Sequence, residues 1–271
     1  MPHPTDQFIA GLQAARQQYP QLANTIDLHL ALARAQAGIA LPAPPAAAVE
    51  QALAHGTPLL RLTPLSFDRG MMAQLASEIC RLTAEHRPDL AESLAGVRAV
   101  LFNTPQAIEQ AAARYLNDDV APTDADPSLL RFGLPHTLRP VLPAAAPTLN
   151  LKPETWNRPI CPLCGGPPDF AALISEKENT AEHGRRLLCA RCDTEWGYKR
   201  GGCPFCEAAG QWSYFPDEQE LYRLYVCDAC RHYLKTVDWR QTFAHRNLPV
   251  ERVLTAHIDA AAARAGYTLI S

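Results

Sequence analysis

The chain has 271 residues, enough for two domains at roughly 100–200 residues each, and its 47% hydrophobic content supplies a sizeable core. A formal charge of −3 with 20% charged residues excludes a disordered polyelectrolyte. It also argues against wholesale binding to nucleic acid or anionic membrane, which needs concentrated Lys and Arg.

The opening segment, MPHPTDQFIAG, lacks the charged, apolar and small-residue regions of a secretory signal. No uninterrupted apolar run approaches the roughly 20 residues that cross a bilayer. Both observations predict a cytoplasmic chain without membrane insertion. The first 150 residues are rich in Ala, Leu and Arg, whereas all four Trp, all four Lys and eight of the nine Cys lie beyond them. Neither part is basic: 10 basic residues face 13 acidic ones in 1–150, and 15 face 15 in 151–271.

In the first part, helices are predicted near 6–18, 25–37, 46–54, 89–101 and 105–116. Met72, Leu75, Ile79 and Leu82 add an apolar stripe at helical spacing, between Asp68 and Pro88. Thr104 before Pro105 reads as a helix cap followed by a proline at the first helical position. A helix bundle is the simplest assembly, and Cys80, next to the stripe, reads as a small buried apolar group. From about 117 to 160, eight prolines from Pro122 to Pro159 exclude long helices and predict a linker with short helical or extended pieces. Residues 249–266 read as a closing helix ending at Gly266, with His257 on its apolar face as a core histidine.

The chemistry concentrates in Cys161-Pro-Leu-Cys164, Cys189-Ala-Arg-Cys192, Cys203-Pro-Phe-Cys206 and Cys227-Asp-Ala-Cys230. Four Cys-x-x-Cys pairs in 70 residues of a chain without a signal read as metal binding rather than a disulfide framework. Two residues between cysteines let the chain turn so that both sulfurs face one ion, and two such turns complete a tetrahedral four-sulfur shell. Gly165 suits a turn that needs positive φ. The spacing groups Cys161, Cys164, Cys189 and Cys192 as one site and Cys203, Cys206, Cys227 and Cys230 as another, with crossed pairings geometrically open. Zinc and iron both accept such a shell. A structural metal can supply apparent binding energies of about 10–16 kcal/mol, so this half should need metal to fold. His183 and His232 read as loop or surface groups rather than replacement ligands. Disulfide exchange is the weaker reading, because the pairs lack a βαβ context.

Around the cysteines, aromatic residues alternate with basic ones. The simplest assignment is a small core over the ribbons with solvated charges. A stacking surface for single-stranded nucleic acid is the competing one, and the balanced charge disfavours it. Tyr222, Leu224 and Val226 alternate with Arg223 and Tyr225 as a strand does. No Gly-rich phosphate loop, Ser/His/Asp set or His-Glu-x-x-His helix is present, so nothing points to a catalytic centre.

The ordered text Cys161-Pro-Leu-Cys164-Gly-Gly-Pro-Pro, Leu188-Cys189-x-x-Cys192-x-Thr-Glu-Trp196-x-Tyr198-x-Arg200, Cys203-x-x-Cys206 and Cys227-x-x-Cys230-x-x-Tyr233-Leu-Lys235 resembles the formate dehydrogenase accessory protein family, FdhE. The specific match covers about 155–267. The resemblance implies a cytoplasmic maturation factor that contacts the catalytic subunit of formate dehydrogenase before export and is not itself an enzyme. It further implies two rubredoxin-like metal sites on the eight cysteines, iron favoured and zinc the alternative, with a redox role if iron is bound. Trp196, Tyr198, Arg200, Tyr233 and Lys235 are then candidate partner-docking residues, and a homo-oligomer is left open. The competing functions are a zinc-ribbon nucleic-acid binder and, less favoured, a thiol–disulfide oxidoreductase.

The expected fold class is α+β multidomain. It comprises an all-α region at 1–120, a Pro-rich linker at 121–157, two tandem rubredoxin-like or zinc-ribbon four-cysteine modules at 158–200 and 201–240, and a C-terminal helix within 241–271.

Overall fold

The computed structural model describes residues 4–37, 39, 45–63, 68–103, 112, 115, 133–139, 156–174, 184–240 and 247–270. The chain forms two compact units, Met1–Ala46 with Leu60–Thr148, and Ala47–Leu59 with Leu149–Ser271.

The described elements of the first unit are helical: α1 (Pro4–Gln18), α2 (Ala23–Gln36), α5 (Arg69–His86), α6 (Ala91–Asn103) and a short α7 (Leu134–Leu138). Between α2 and α5 along the chain lie α3 (Ala46–His55), which from Ala47 on belongs to the second unit, and the single-turn α4 (Leu59–Leu62), which from Leu60 on belongs to the first. Helix α5 shows why the sequence folds locally. The Asp68 carboxylate accepts from the Met71 N–H at 2.6 Å and caps the first turn. Met72, Leu75, Ile79 and Cys80 are buried at three- and four-residue intervals, and Pro88 follows the C-cap Arg87, which is no longer helical. Burial pushes the Cys80 thiol up to about 11, as expected of a core cysteine.

Helices α2, α6 and α7 pack on α5. Leu134 and Leu138 of α7 are buried, so part of the Pro-rich stretch belongs to this unit's core. Of the segment 105–116, only Ala112 and Tyr115 fall within the described residues; Thr104 and Pro105 lie outside them.

The second unit is built on one mixed six-stranded sheet in the order β3-β2-β1-β6-β5-β4. Its strands are β1 (Pro168–Leu173), β2 (Arg185–Cys189), β3 (Glu195–Tyr198), β4 (Trp212–Pro216), β5 (Tyr222–Cys227) and β6 (Tyr233–Asp238). Each half is an antiparallel meander. The halves meet through the parallel pairing of β1 with β6, in register from Phe170↔Lys235 to Leu173↔Asp238. The two four-cysteine ribbons expected from the sequence are thus halves of one sheet. Strand β1, central and covered on both faces, is apolar nearly throughout, as such strands must be.

The closing helix is broken in two, α8 (Leu248–Leu254) and α9 (Ala256–Arg264), where the sequence predicts one. The break sits at Thr255, whose hydroxyl donates to the Glu251 carbonyl at 2.9 Å. The buried Lys235 ammonium takes up the carbonyls of Arg252 and Thr255 at 3.3 and 3.5 Å, satisfying acceptors that a helix end leaves open. The interruption leaves His257 exposed, which corrects its reading as a core histidine. Leu248 joins Phe170, Ala172, Ile174, Leu188 and Val237 in one core cluster, and Ala262 joins Val226 and Tyr233 in another. Among the described residues no helix is long and apolar enough to cross a membrane.

Candidate metal centre

Each of the four Cys-x-x-Cys segments closes the same turn. The residue after the second cysteine has positive φ: Gly165 at 76°, Asp193 at 57°, Glu207 at 58° and Arg231 at 61°. Its N–H donates back to the carbonyl of the first cysteine, at 2.9, 3.4, 3.0 and 2.8 Å in that order. The N–H of the first cysteine donates to the carbonyl five residues on, in Gly166, Thr194, Ala208 and His232. Such a turn frees N–H groups for sulfur: Gly166, Arg191 and Phe205 each donate to the Sγ of Cys164, Cys189 and Cys203 at 3.4 Å. Sequence reading singles out Gly165 alone. The other three are an acid, an acid and a base in the left-handed region, and only their shared offset from a cysteine could have revealed them.

The turns bring the eight sulfurs into two sets, Cys161, Cys164, Cys189 and Cys192, and Cys203, Cys206, Cys227 and Cys230, with the sulfurs of each set within 4.8 Å of one another. In the first, Cys161–Cys192 and Cys164–Cys192 are 3.5 Å apart and Cys164–Cys189 3.4 Å. In the second, Cys203–Cys230 and Cys206–Cys227 are 3.7 Å apart. A tetrahedral shell with metal–sulfur bonds of about 2.3 Å has edges of about 3.8 Å, so both sets fit a four-thiolate ion, the second almost without adjustment. All nine cysteines are free of disulfides. The donor chemistry does not distinguish iron from zinc.

The two sets differ in their surroundings. All four cysteines of the first are buried, whereas in the second Cys206 is exposed and Cys230 half-buried. Burial raises the Cys161, Cys164 and Cys192 thiols well above their ordinary value. Burial acts on Cys189 in the same direction, but hydrogen bonds from the other three sulfurs and the Arg191 N–H outweigh it and hold this group low. The Thr194 hydroxyl lies 3.1 Å from Cys192 Sγ. Arg191 passes so close to the first turn that a Cβ on Gly166 would stand 2.8 Å from its Cδ, which explains the second glycine after Cys164.

Charged side chains tie turns of both sets to the rest of the unit. Arg252 of α8, 10% exposed, pairs with Asp193 at 2.7 Å and Asp169 at 3.4 Å and reaches the Cys189 carbonyl. At the second set, Arg231 lies over the Tyr267 ring at 4.0 Å and donates to the Ala265 and Gly266 carbonyls. Tyr267 in turn donates to Asp228 at 2.7 Å. Between the sets, Arg185 is buried with its guanidinium 5.6 Å from both the Trp212 and Tyr225 ring centres. It donates to the carbonyls of Arg200 and Gly202, the latter adjoining Cys203. No carboxylate pairs with it among the described residues, and burial pushes it down to about 10.

Four of the five expected docking side chains are interior. Trp196 and Tyr198 are 2% and 1% exposed, and Tyr233 and Lys235 2% and 3%. Trp196 donates to the Arg158 carbonyl at 3.0 Å. Tyr233 and Lys235 both bind Asp259 of α9, at 2.8 and 2.7 Å. These four hold the sheet together, and Arg200 alone is exposed. The His232 ring packs on Phe205, centres 5.5 Å apart, and His183 lies outside the described residues.

No family model matches the chain. The FdhE homolog of Proteus mirabilis is 29% identical over 205 residues, covering 70% of this chain and 66% of that protein. Protein FdhE of an Escherichia coli O127:H6 strain is 26% identical over 192 residues, 70% of this chain and 60% of that one. The chain thus matches somewhat less than two thirds of these relatives' length. The crystal structure of the FdhE protein from Pseudomonas aeruginosa aligns with a TM-score of 0.59 at 20% identity, over 99% of this chain and 92% of that one, and so shares the fold. With homologues and a structural neighbour that all carry the FdhE name, the resemblance to the FdhE family seen in the ordered cysteine text is borne out.

Proposed function

We propose that this chain is a cytoplasmic accessory factor that helps produce active formate dehydrogenase by binding its catalytic subunit, and is not an enzyme. The observation that carries the reading is the similarity to FdhE proteins over 70% of the chain. The eight cysteines support it: a four-thiolate shell is saturated and leaves no position for a substrate. In this reading they hold two ions, the first ordering the sheet and the second the surface around its own turns. Iron, where bound, supplies one-electron exchange, and the second set suits that better because Cys206 reaches solvent.

The test is formate-dependent dye reduction in cells lacking the gene, complemented by the native chain, Cys161→Ser or Cys227→Ser. Restored activity with the native chain and none with either variant is expected. Unaltered activity on deleting the gene contradicts the accessory role, and full rescue by a variant that has lost its ion contradicts the role of the cysteines.

A further inference from the structure

The two edges of the sheet are treated differently. Strand β3 is four residues long, carries Glu195 paired with Arg186 at 3.4 Å, and turns Trp196 and Tyr198 inward. These are the devices that stop an edge from recruiting another strand. Strand β4, at the opposite edge, is five residues long and carries no charge of its own before its terminal Pro216, although the Arg223 guanidinium of β5 lies over its Tyr214 ring at 4.7 Å. Its sequence Trp-Ser-Tyr-Phe-Pro is uncharged, and Tyr214 and Phe215 are 47% and 59% exposed. They point to opposite faces: Tyr214 pairs with Tyr225 on one side, and Phe215 with Leu224 on the other. An added strand would therefore find an aromatic neighbour on each face.

The turn beyond this edge fixes the charge of what fits. Asp217, Glu218 and Glu220 lie within four residues, and Glu218 and Glu220 are exposed. Asp217 accepts the Tyr222 N–H at 3.0 Å, and no Lys or Arg pairs with any of the three among the described residues. A second copy fits poorly, because β4 itself is uncharged and brings no Lys or Arg of its own to this acidic turn.

We propose that β4 is a docking strand for an extended, cationic segment of a partner protein, which adds a seventh strand to the sheet. Main-chain hydrogen bonds to this edge, which pairs with no further strand among the described residues, give affinity; Tyr214, Phe215 and the acidic turn select apolar and basic side chains. The proposal deepens the docking role above, while its test does not involve formate dehydrogenase.

The test is fluorescence anisotropy on the metal-loaded full chain, with a labelled nonapeptide alternating Arg and Val and a control carrying Glu for Arg. The native chain should bind the Arg peptide at least tenfold more tightly than the control. Glu218→Lys with Glu220→Lys should weaken binding at least tenfold and flatten its salt dependence, and Phe215→Ser about fivefold. All three substituted side chains are exposed, so metal content and circular dichroism should stay native. Equal binding of both peptides, or native affinity in the variants, overturns the proposal. So does a concentration-dependent dimer that Phe215→Ser abolishes, because the occupant is then a second copy. A chain that restores formate dehydrogenase without binding the peptide refutes the strand alone; one that binds the peptide without affecting formate dehydrogenase refutes only the accessory role.

Discussion

Around the first cysteine set all four thiols are buried, and Arg252 ties its turn to α8 through Asp169 and Asp193. Around the second, the same turn geometry opens to solvent at Cys206, and the chain leans on the C-terminal residues Ala265–Thr268 through Arg231 and Asp228. One ligand design therefore sits in two environments. Access decides how fast an ion can leave or react, whereas the ligand count decides only whether it binds. The first set should therefore act as a lock inside the unit, and the second should be the exchangeable one.

The largest way to break this contrast is to remove a ligand from each set. Cys161→Ser should cost much of the roughly 10–16 kcal/mol that a structural ion can supply and unfold the second unit. Cys206→Ser should lose one ion and leave the sheet folded. Circular dichroism, metal content and limited proteolysis distinguish these outcomes, and equal unfolding of both variants erases the contrast. Next in size is Arg252→Met, which removes the cation that half-buried Asp169 and Asp193 share. Breaking such a pair costs about 3–5 kcal/mol, seen in denaturant unfolding of the second unit, and the ion at the first set should become easier to chelate.

Two smaller changes sharpen the comparison. Glu207→Gly relieves a left-handed backbone at a position whose side chain, among the described residues, makes only the exposed contact with Lys199. It should stabilise the second unit by about 1 kcal/mol, whereas Gly165→Ala should destabilise it by a similar amount. The smallest effect is acidic. Asp238 is half-buried, which alone would raise its carboxyl, but Arg240 and Arg223 hold it below the ordinary carboxylate range. A carboxyl lowered in the folded state gives stability that is present above its unfolded value and lost as pH falls through the folded one. The stability gap between the native chain and Asp238→Asn should therefore shrink as pH drops below about 4; a gap that stays constant contradicts the assignment.

Much of this was legible in the sequence. The Asp68 and Pro88 boundaries, the Met72–Ile79 stripe and the grouping of eight cysteines follow from local spacing, and local spacing is what the backbone obeys at those positions. Period-two alternation in Glu195–Tyr198 also held the inward direction of Trp196 and Tyr198, although resemblance to family text suggested a surface role. The parallel pairing of β1 with β6 was not legible, because it joins residues about 65 apart whose patterns also suit two separate ribbons. Nor was the break at Thr255, where Lys235 reaches the helix carbonyls from strand β6. That β4 ends the sheet among the described residues emerges only once the strand order is known.

The most direct measurement is metal loss from the fully loaded native chain under a competing chelator, followed by metal content and repeated on Cys206→Ser. Two ions per chain leaving in two phases at least tenfold apart are predicted, with the fast phase missing from the variant. Loss of both ions in a single phase, or a fast phase that survives in Cys206→Ser, contradicts the account of one buried and one exchangeable centre.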